Sequence, residues 1–303
     1  MNLIKEDFLK KWVVAVSEAG IPQQAYDSKI KLLENSDYSI GALFNPHRFE
    51  RKYQNPNTDS SKCKLCSELE DSLIHPFKDL APGISKNFLV TYNAFPHFIG
   101  SSMAIAKNIN GKEKAMYNTK NLFGLVSELD EIFKIGEKLG LKVFHNTFGA
   151  GASIPSHEHW HLLHPDSNYK KLGVKYGFDA SEKKKLKGNE KVKIMPSFPF
   201  AHLIFDSNDF EKIVFFFKNL GDNLGKNYPY GHVPHSICQG HDGILIVPNK
   251  IHKDRPIGST DIAGHYLSCK NLEEFENMNL DDYISKLDEI LFRKEDIDLK
   301  MFL

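Results

Sequence analysis

Cysteine is scarce, with four in 303 residues, too few to staple a chain of this size, so a disulfide scaffold is excluded. Charge of one sign is missing as well. Lys+Arg and Asp+Glu both number 39, giving a formal net charge of zero, so no global field draws the chain to nucleic acid or to an anionic membrane. Any phosphate ligand has to be captured locally. There is no stretch of about twenty apolar residues of the kind that crosses a bilayer. From Met1 to Gly20, Lys and Glu interrupt the apolar positions where a signal peptide needs an unbroken apolar core. These absences predict a soluble, cytoplasmic protein with neither nucleic acid nor membrane as a partner. What is present is a hydrophobic fraction of 41%, enough to bury a large core as one domain or two fused ones.

Apolar residues recur at helical spacing between Asp7 and Glu18, and the Gly20-Ile-Pro22 break ends that segment. Polar, turn-rich sequence from Asn45 to Lys62 leads into a Cys63-x-x-Cys66 pair and reads as an ordered loop. Phe88 to Tyr92 and Met103 to Ala106 are short apolar runs separated by Asn93-Ala-Phe-Pro-His-Phe-Ile-Gly100, which predicts two antiparallel strands with a structured connection. Leu122, Leu125, Val126, Leu129, Ile132, Phe133 and Leu139 follow a 3.6-residue period, predicting a long amphipathic helix that stops at Gly140. Lys142 to Thr147 is the next strand. Lys170 to Lys193, rich in Lys and Gly, reads as a solvated insertion. Beyond it, His202 to Phe205 and Ile244 to Val247 read as strands, Phe210 to Leu220 as a helix, and Leu272 to Phe292 as closing helical sequence. The second half loosely echoes the first.

The informative string is His145-Asn-Thr-Phe-Gly-Ala-Gly-Ala-Ser-Ile-Pro-Ser-His-Glu-His-Trp-His-Leu-Leu-His164. In a strand, side chains two apart share a face, so His157, His159 and His161 project together while Glu158, Trp160 and Leu162 face the other way. A neutral imidazole nitrogen exchanges protons near neutral pH and is also a competent nucleophile toward phosphorus. The preceding Gly149-Ala-Gly151-Ala-Ser153 run lets backbone N–H groups approach an anion, with the Ser153 hydroxyl as a further donor. Such donors offset charge that builds on phosphate oxygens in a transition state. Alternating histidines alone could equally be a polar edge strand or a metal centre, but neither of those requires the adjacent small-residue turn.

The string resembles the signature of the histidine triad (HIT) superfamily, in which three histidines alternate with mostly apolar residues. Glu158 stands where an apolar residue is usual. The longer context resembles the galactose-1-phosphate uridylyltransferase-like branch, which includes diadenosine-polyphosphate phosphorylases and GDP-hexose phosphorylases. Asn45-Pro-His-Arg48, the Cys63/Cys66 pair, Asn93-Ala-Phe95-Pro96, Asp242-Gly-Ile-Leu-Ile-Val-Pro248, His252, Arg255-Pro256 and Asp261-Ile-Ala-Gly-His265 are similar, in order, to motifs of that branch. The resemblance implies an α+β chain of HIT-like antiparallel sheets flanked by helices, built as two fused HIT-like halves, the second degenerate. The boundaries expected are residues 1–40 for an N-terminal helical segment, 41–168 for the catalytic half, 169–195 for the insertion and 196–303 for the second half with its C-terminal helix.

The resemblance also implies roles. His159 attacks the α-phosphorus of a nucleotide or nucleotide sugar and carries the nucleotide covalently. His157 orients the motif or binds metal, and His161 joins Ser153, Gly151 and Asn146 around the phosphate oxygens. Asn93 and Phe95 hold the nucleoside, and Arg48 meets the distal phosphate. Inorganic phosphate, a sugar phosphate or water then collects the nucleotide. Transferases and phosphorylases of the branch usually have Gln at the position of His161, whereas hydrolases of the superfamily have His, so three functions stand open. The first is a nucleotidyltransferase or phosphorylase, the second a hydrolase releasing nucleoside monophosphate, the third a nucleotide sensor without turnover. A structural zinc on Cys63, Cys66 and His157 belongs to the same resemblance, with His97 or an acidic side chain as fourth ligand. His232 and His235, three apart, do not share a strand face, and Cys238 and Cys269 read as buried thiols.

Overall fold

The computed structural model describes residues 2–26, 29–34, 39–46, 79–94, 96, 99–107, 122–147, 150, 158–163, 187–188, 191–195, 198–205, 209–224, 233–239, 243–250, 267–269 and 271–299. Its spine is a nine-stranded antiparallel sheet in the order β3-β4-β6-β5-β10-β11-β9-β8-β7. The strands are β3 (Phe88–Tyr92), β4 (Ser102–Ala106), β5 (Lys142–Asn146), β6 (His159–Leu163), β7 (Lys187–Gly188), β8 (Val192–Ile194), β9 (Leu203–Phe205), β10 (His235–Gln239) and β11 (Ile244–Pro248). Strands from both sequence halves join through the β5–β10 pairing, where Asn146 stands opposite Ser236 and Phe144 opposite Cys238. A second, small sheet pairs β1 (Lys29–Glu34) with β2 (Ser39–Phe44) antiparallel, and β2 with β12 (Leu267–Ser268) parallel.

Strand alternation sends side chains of the large sheet into two cores. Val90, Ala104, Trp160, Leu162, Val143, Ile237, Ile246 and Leu203 point to one face, packed with residues of α1 (Asn2–Glu18), α2 (Leu122–Leu139) and α3 (Phe210–Leu224). α1 contributes Phe8, Trp12 and Val16, and the Trp12 indole N–H donates to the Ser101 carbonyl at 2.9 Å. Phe144, Cys238, Leu245, Val247 and Ile204 point to the other face, against the small sheet, α4 (Leu272–Asn277) and α5 (Leu280–Asp288). α2 ends as its period predicts: Gly140 takes a φ of 68° and the Leu141 N–H donates to the Gly136 carbonyl at 2.8 Å, turning the chain straight into β5. At Gly136 a Cβ would stand 2.7 Å from the Val143 side chain, so this glycine sets how closely α2 lies on the sheet.

Two sequence expectations need correcting. Leu272 to Phe292 is not one helix. Asn279 accepts from the Asp282 N–H while Asp282 returns the bond to the Asn279 N–H, so a capping box starts α5 only two residues after α4 ends. The tail of the Lys-rich insertion is not solvated throughout either: β8 pairs with β9, and Val192 and Met195 are buried. The strands β1 and β2, inside and just past the stretch read as an N-terminal helical segment, were not expected. No helix among the described residues is long and apolar enough to cross a membrane.

His202 makes the structure sensitive to acid. Its Nε2 accepts from the Met195 N–H and its Nδ1 donates to the Phe200 carbonyl, both at 2.8 Å, which fixes a neutral ring in the core. Burial is the main cause that lowers its pKa to about 4. The unfolded chain binds a proton near pH 6.5 that the folded chain refuses until about 4, so stability is full above that range and is lost as pH falls through it. The stake is about 3 kcal/mol for this residue alone, and buried His145, lowered in the same direction, adds to it. Urea titrations are expected to show stability declining already between pH 6.5 and 5.5, above the ordinary carboxylate range; a flat profile there would contradict this.

Candidate active site

β6 begins at His159, and its ladders fix what lies beside each ring. Across β4, Met103 opposes His161 and Ile105 opposes His159; across β5, Phe144 opposes His161. Continuing that register by two residues brings Asn146 level with His159 on the same face. The rings of His159 and His161 meet edge to face, with centroids 5.4 Å apart and planes at 75°. The two imidazoles therefore share one surface, as the alternating pattern predicts. His159 is buried, with 4% of its surface exposed, and His161 is half-buried.

Asn146 is held by a residue from the other half of the chain. The Ser236 hydroxyl donates to Asn146 Oδ1 at 3.2 Å. With its carbonyl oxygen engaged, the amide keeps two N–H donors for an anion near His159. Thr147 secures the same junction: its N–H and hydroxyl both donate to the His235 carbonyl, at 3.1 and 3.0 Å, and its Oγ1 accepts from the His235 N–H at 2.8 Å. Sequence reasoning missed Ser236. Its alternation with Ile237 marks a strand, but only the β5–β10 pairing, which is non-local, places it beside Asn146.

On the opposite face, Glu158 and Trp160 form the support of the histidine strand. Glu158 is wholly buried, and one carboxylate oxygen accepts from the Trp160 indole N–H at 3.1 Å. Trp160 stacks on His145, with centroids 4.1 Å apart and planes at 25°. Burial first, and then the nearby imidazoles of His159, His235 and His161, push the His145 pKa well below its ordinary value. This ring is a neutral packing partner, turned away from the His159 surface. His235 stacks on Phe217 and donates or accepts through Nδ1 at the Val233 carbonyl, again in the core. Cys238 and Cys269 are buried thiols, and burial raises the Cys238 pKa so that it stays protonated.

Of the site residues expected from the sequence, the structure thus brings together His159, His161 and Asn146. Asn93 is buried at the end of β3, its N–H donating to the Ser101 carbonyl at 3.0 Å. It lies on the same face two strands away from β6. His157, Gly151, Ser153, Phe95 and Arg48 lie outside the described residues. So do Cys63, Cys66 and His97, on which, with His157, the zinc expectation rests. Among the described residues no group of three or more His, Cys, Asp or Glu could hold a metal ion.

The fold is HIT-like, of the type implied by the histidine string. No family model matches the chain, and no curated protein matches it. Among solved structures it is similar to yeast Ap4A phosphorylase Apa2 in complex with Ap4A, at a TM-score of 0.58 and 15% identity, covering 96% of this chain and 97% of that one. It is similar as well to Apa2 in complex with AMP, at 0.56 and 15% over 90% of each chain. Apa2 alone gives 0.56 and 16% over 94% of this chain and 92% of that one.

Proposed function

We propose that the chain is a nucleotidyltransferase of the phosphorylase type, acting on a dinucleoside polyphosphate or a nucleoside diphosphate sugar through a nucleotidyl-His159 intermediate. The observation that carries the reading is the buried His159 ring beside His161, with Asn146 on the same face and its amide oriented by Ser236. The HIT-like fold, and solved relatives of that fold holding AMP and Ap4A, support a nucleotide as the ligand.

In the first step a neutral ring nitrogen of His159 attacks the α-phosphorus. The P–N bond forms as the bond to the bridging oxygen breaks, and the distal phosphate departs with that electron pair. Charge gathers on the non-bridging oxygens, where Asn146 Nδ2 and the Gly151–Ser153 turn donate. In the second step an oxygen of inorganic phosphate attacks the same phosphorus and the P–N bond breaks, restoring the imidazole. Arg48 serves the distal phosphate, and Asn93 and Phe95 hold the nucleoside.

His161 favours a second reading. An imidazole in this place can protonate a leaving oxygen or assist water, which a Gln amide cannot do. Incubation with Ap4A and with nucleoside diphosphate hexoses, with and without inorganic phosphate, separates the two. The phosphorylase reading expects nucleoside diphosphate only when phosphate is added. Release of nucleoside monophosphate at the same rate without phosphate would replace it with the hydrolase.

A further inference from the structure

Asn249 follows β11 directly, wholly buried, and among the described residues neither its amide oxygen nor its amide nitrogen has a hydrogen-bond partner. Buried side-chain amides are satisfied in the large majority of cases, and one left unmet destabilises the fold. Positions that keep such a burden are concentrated where a ligand supplies the missing partner.

The register says where this amide sits. The Asn249 N–H donates to the Pro234 carbonyl at 2.7 Å, extending the β10–β11 ladder in which Val247 opposes Ser236. Two residues beyond Val247, Asn249 falls on the face of Val247 and Ser236, and so on the face of Asn146 and His159. A polar row thus crosses the sheet from β6 through β5 to β10, carrying His159, Asn146 and Ser236; on β11 the residue level with them is Val247, and Asn249 stands one same-face position beyond it, opposite Pro234. Three strand spacings across the sheet and two residues along β11 put Asn249 about 16 Å from His159. Burial is common to these residues, with His159 and Asn146 exposing 4% and 7% of their surfaces and Ser236 and Asn249 none. The neighbouring Lys250 is committed elsewhere, its ammonium donating to the Asp288 carbonyl at 3.1 Å. Asn93, on the nucleoside side in the reading above, stands across β6 from Asn249, leaving the β10–β11 wing for whatever departs.

We propose that Asn249 binds the leaving portion of the substrate, pairing through its amide with a neutral ring that presents a donor and an acceptor side by side. A nucleobase edge and a sugar diol both have that chemistry. The assignment rests on the nucleotidyl-transfer reading, and its test separates the two.

The variant is Asn249→Leu, with Asn249→Ala as a second in case the first does not fold. Each is compared with the wild type on three donors: Ap4A, a nucleoside diphosphate hexose, and a nucleoside 5′-phosphorofluoridate, whose leaving fluoride has no ring to hold. The expected result is a KM raised at least about tenfold for whichever complete donor the wild type uses, with kcat within about threefold. The rate with the phosphorofluoridate stays within about twofold of wild type, and the ligand-free thermal midpoint of Asn249→Leu rises. Loss on Ap4A identifies a base as the partner, and loss on the nucleotide hexose a sugar. Equal effects on all donors, no effect on any, or a lowered midpoint would overturn the role of Asn249 while leaving the transfer reading intact. If the wild type forms no His159 adduct with any donor, the transfer reading fails and this proposal with it.

Discussion

Replacing His159 by alanine is expected to lower turnover by more than about 10^4-fold, the scale of loss when a covalent nucleophile is removed. The fold should survive, because the ring is one side chain on a strand that is secured by other residues. β6 is laddered on both sides, to β4 and β5, and is anchored from behind by Trp160 and Glu158. The variant should therefore bind nucleotide with nearly unchanged affinity and show a wild-type circular dichroism spectrum. Steady-state kinetics beside calorimetric titration checks both halves of the statement. A variant that keeps a tenth of the wild-type rate would mean that the nucleotide passes to its acceptor without this ring.

The second large effect is on stability. Trp160→Ala removes a wholly buried indole from the middle of the larger core, takes away the stack on His145, and strips a buried carboxylate oxygen of Glu158 of its donor. Large-to-small changes of this kind cost about 3–5 kcal/mol, and the orphaned carboxylate adds to the loss. A fall of roughly 10 °C in the thermal midpoint is the expected reading. Trp160→Phe, which keeps most of the volume but not the indole N–H, should fall between the variant and the wild type. If it matched the alanine variant, the hydrogen bond to Glu158 would outweigh the packing; if Trp160→Ala were silent, the support assigned to this face would be wrong.

The histidine strand was legible because its signal is local. Period-two alternation from 157 to 163 places His159 and His161 on one face without any knowledge of neighbours, and the edge-to-face meeting of the rings follows from that spacing. The same string named Glu158 as the odd residue among apolar ones. Its buried bond to Trp160, two residues on along the same face, explains how a carboxylate is carried in the core. α2 was legible for a comparable reason, since its apolar period and the glycine that ends it both lie within one segment.

What stayed hidden depends on pairing between distant segments. Ser236 orients Asn146 across 90 residues of sequence, and nothing near Ser236 announces β5 as its neighbour. Lys31, from a strand the sequence pattern did not reveal, donates to the carbonyls of Glu276 and Met278 at the end of α4, at 2.6 and 2.9 Å. Lone cations at carbonyl-rich helix ends look like any surface lysine until the fold joins them. The break at Asn279 was readable in principle as a cap, but the continuing apolar period of Tyr283 and Leu287 masked it. The Lys-rich stretch misled by composition: β8 is short, and only Val192 and its neighbours report a strand there.

The most direct measurement is the intact mass of the protein after brief incubation with a nucleotide donor in the absence of any acceptor, followed by mapping of the modified peptide. The account predicts one added nucleoside monophosphate, acid-labile as a phosphoramidate is, on the peptide carrying His159 and gone from His159→Ala. Substrate consumption by an enzyme that never gains that mass, or that carries it on another residue, would contradict it.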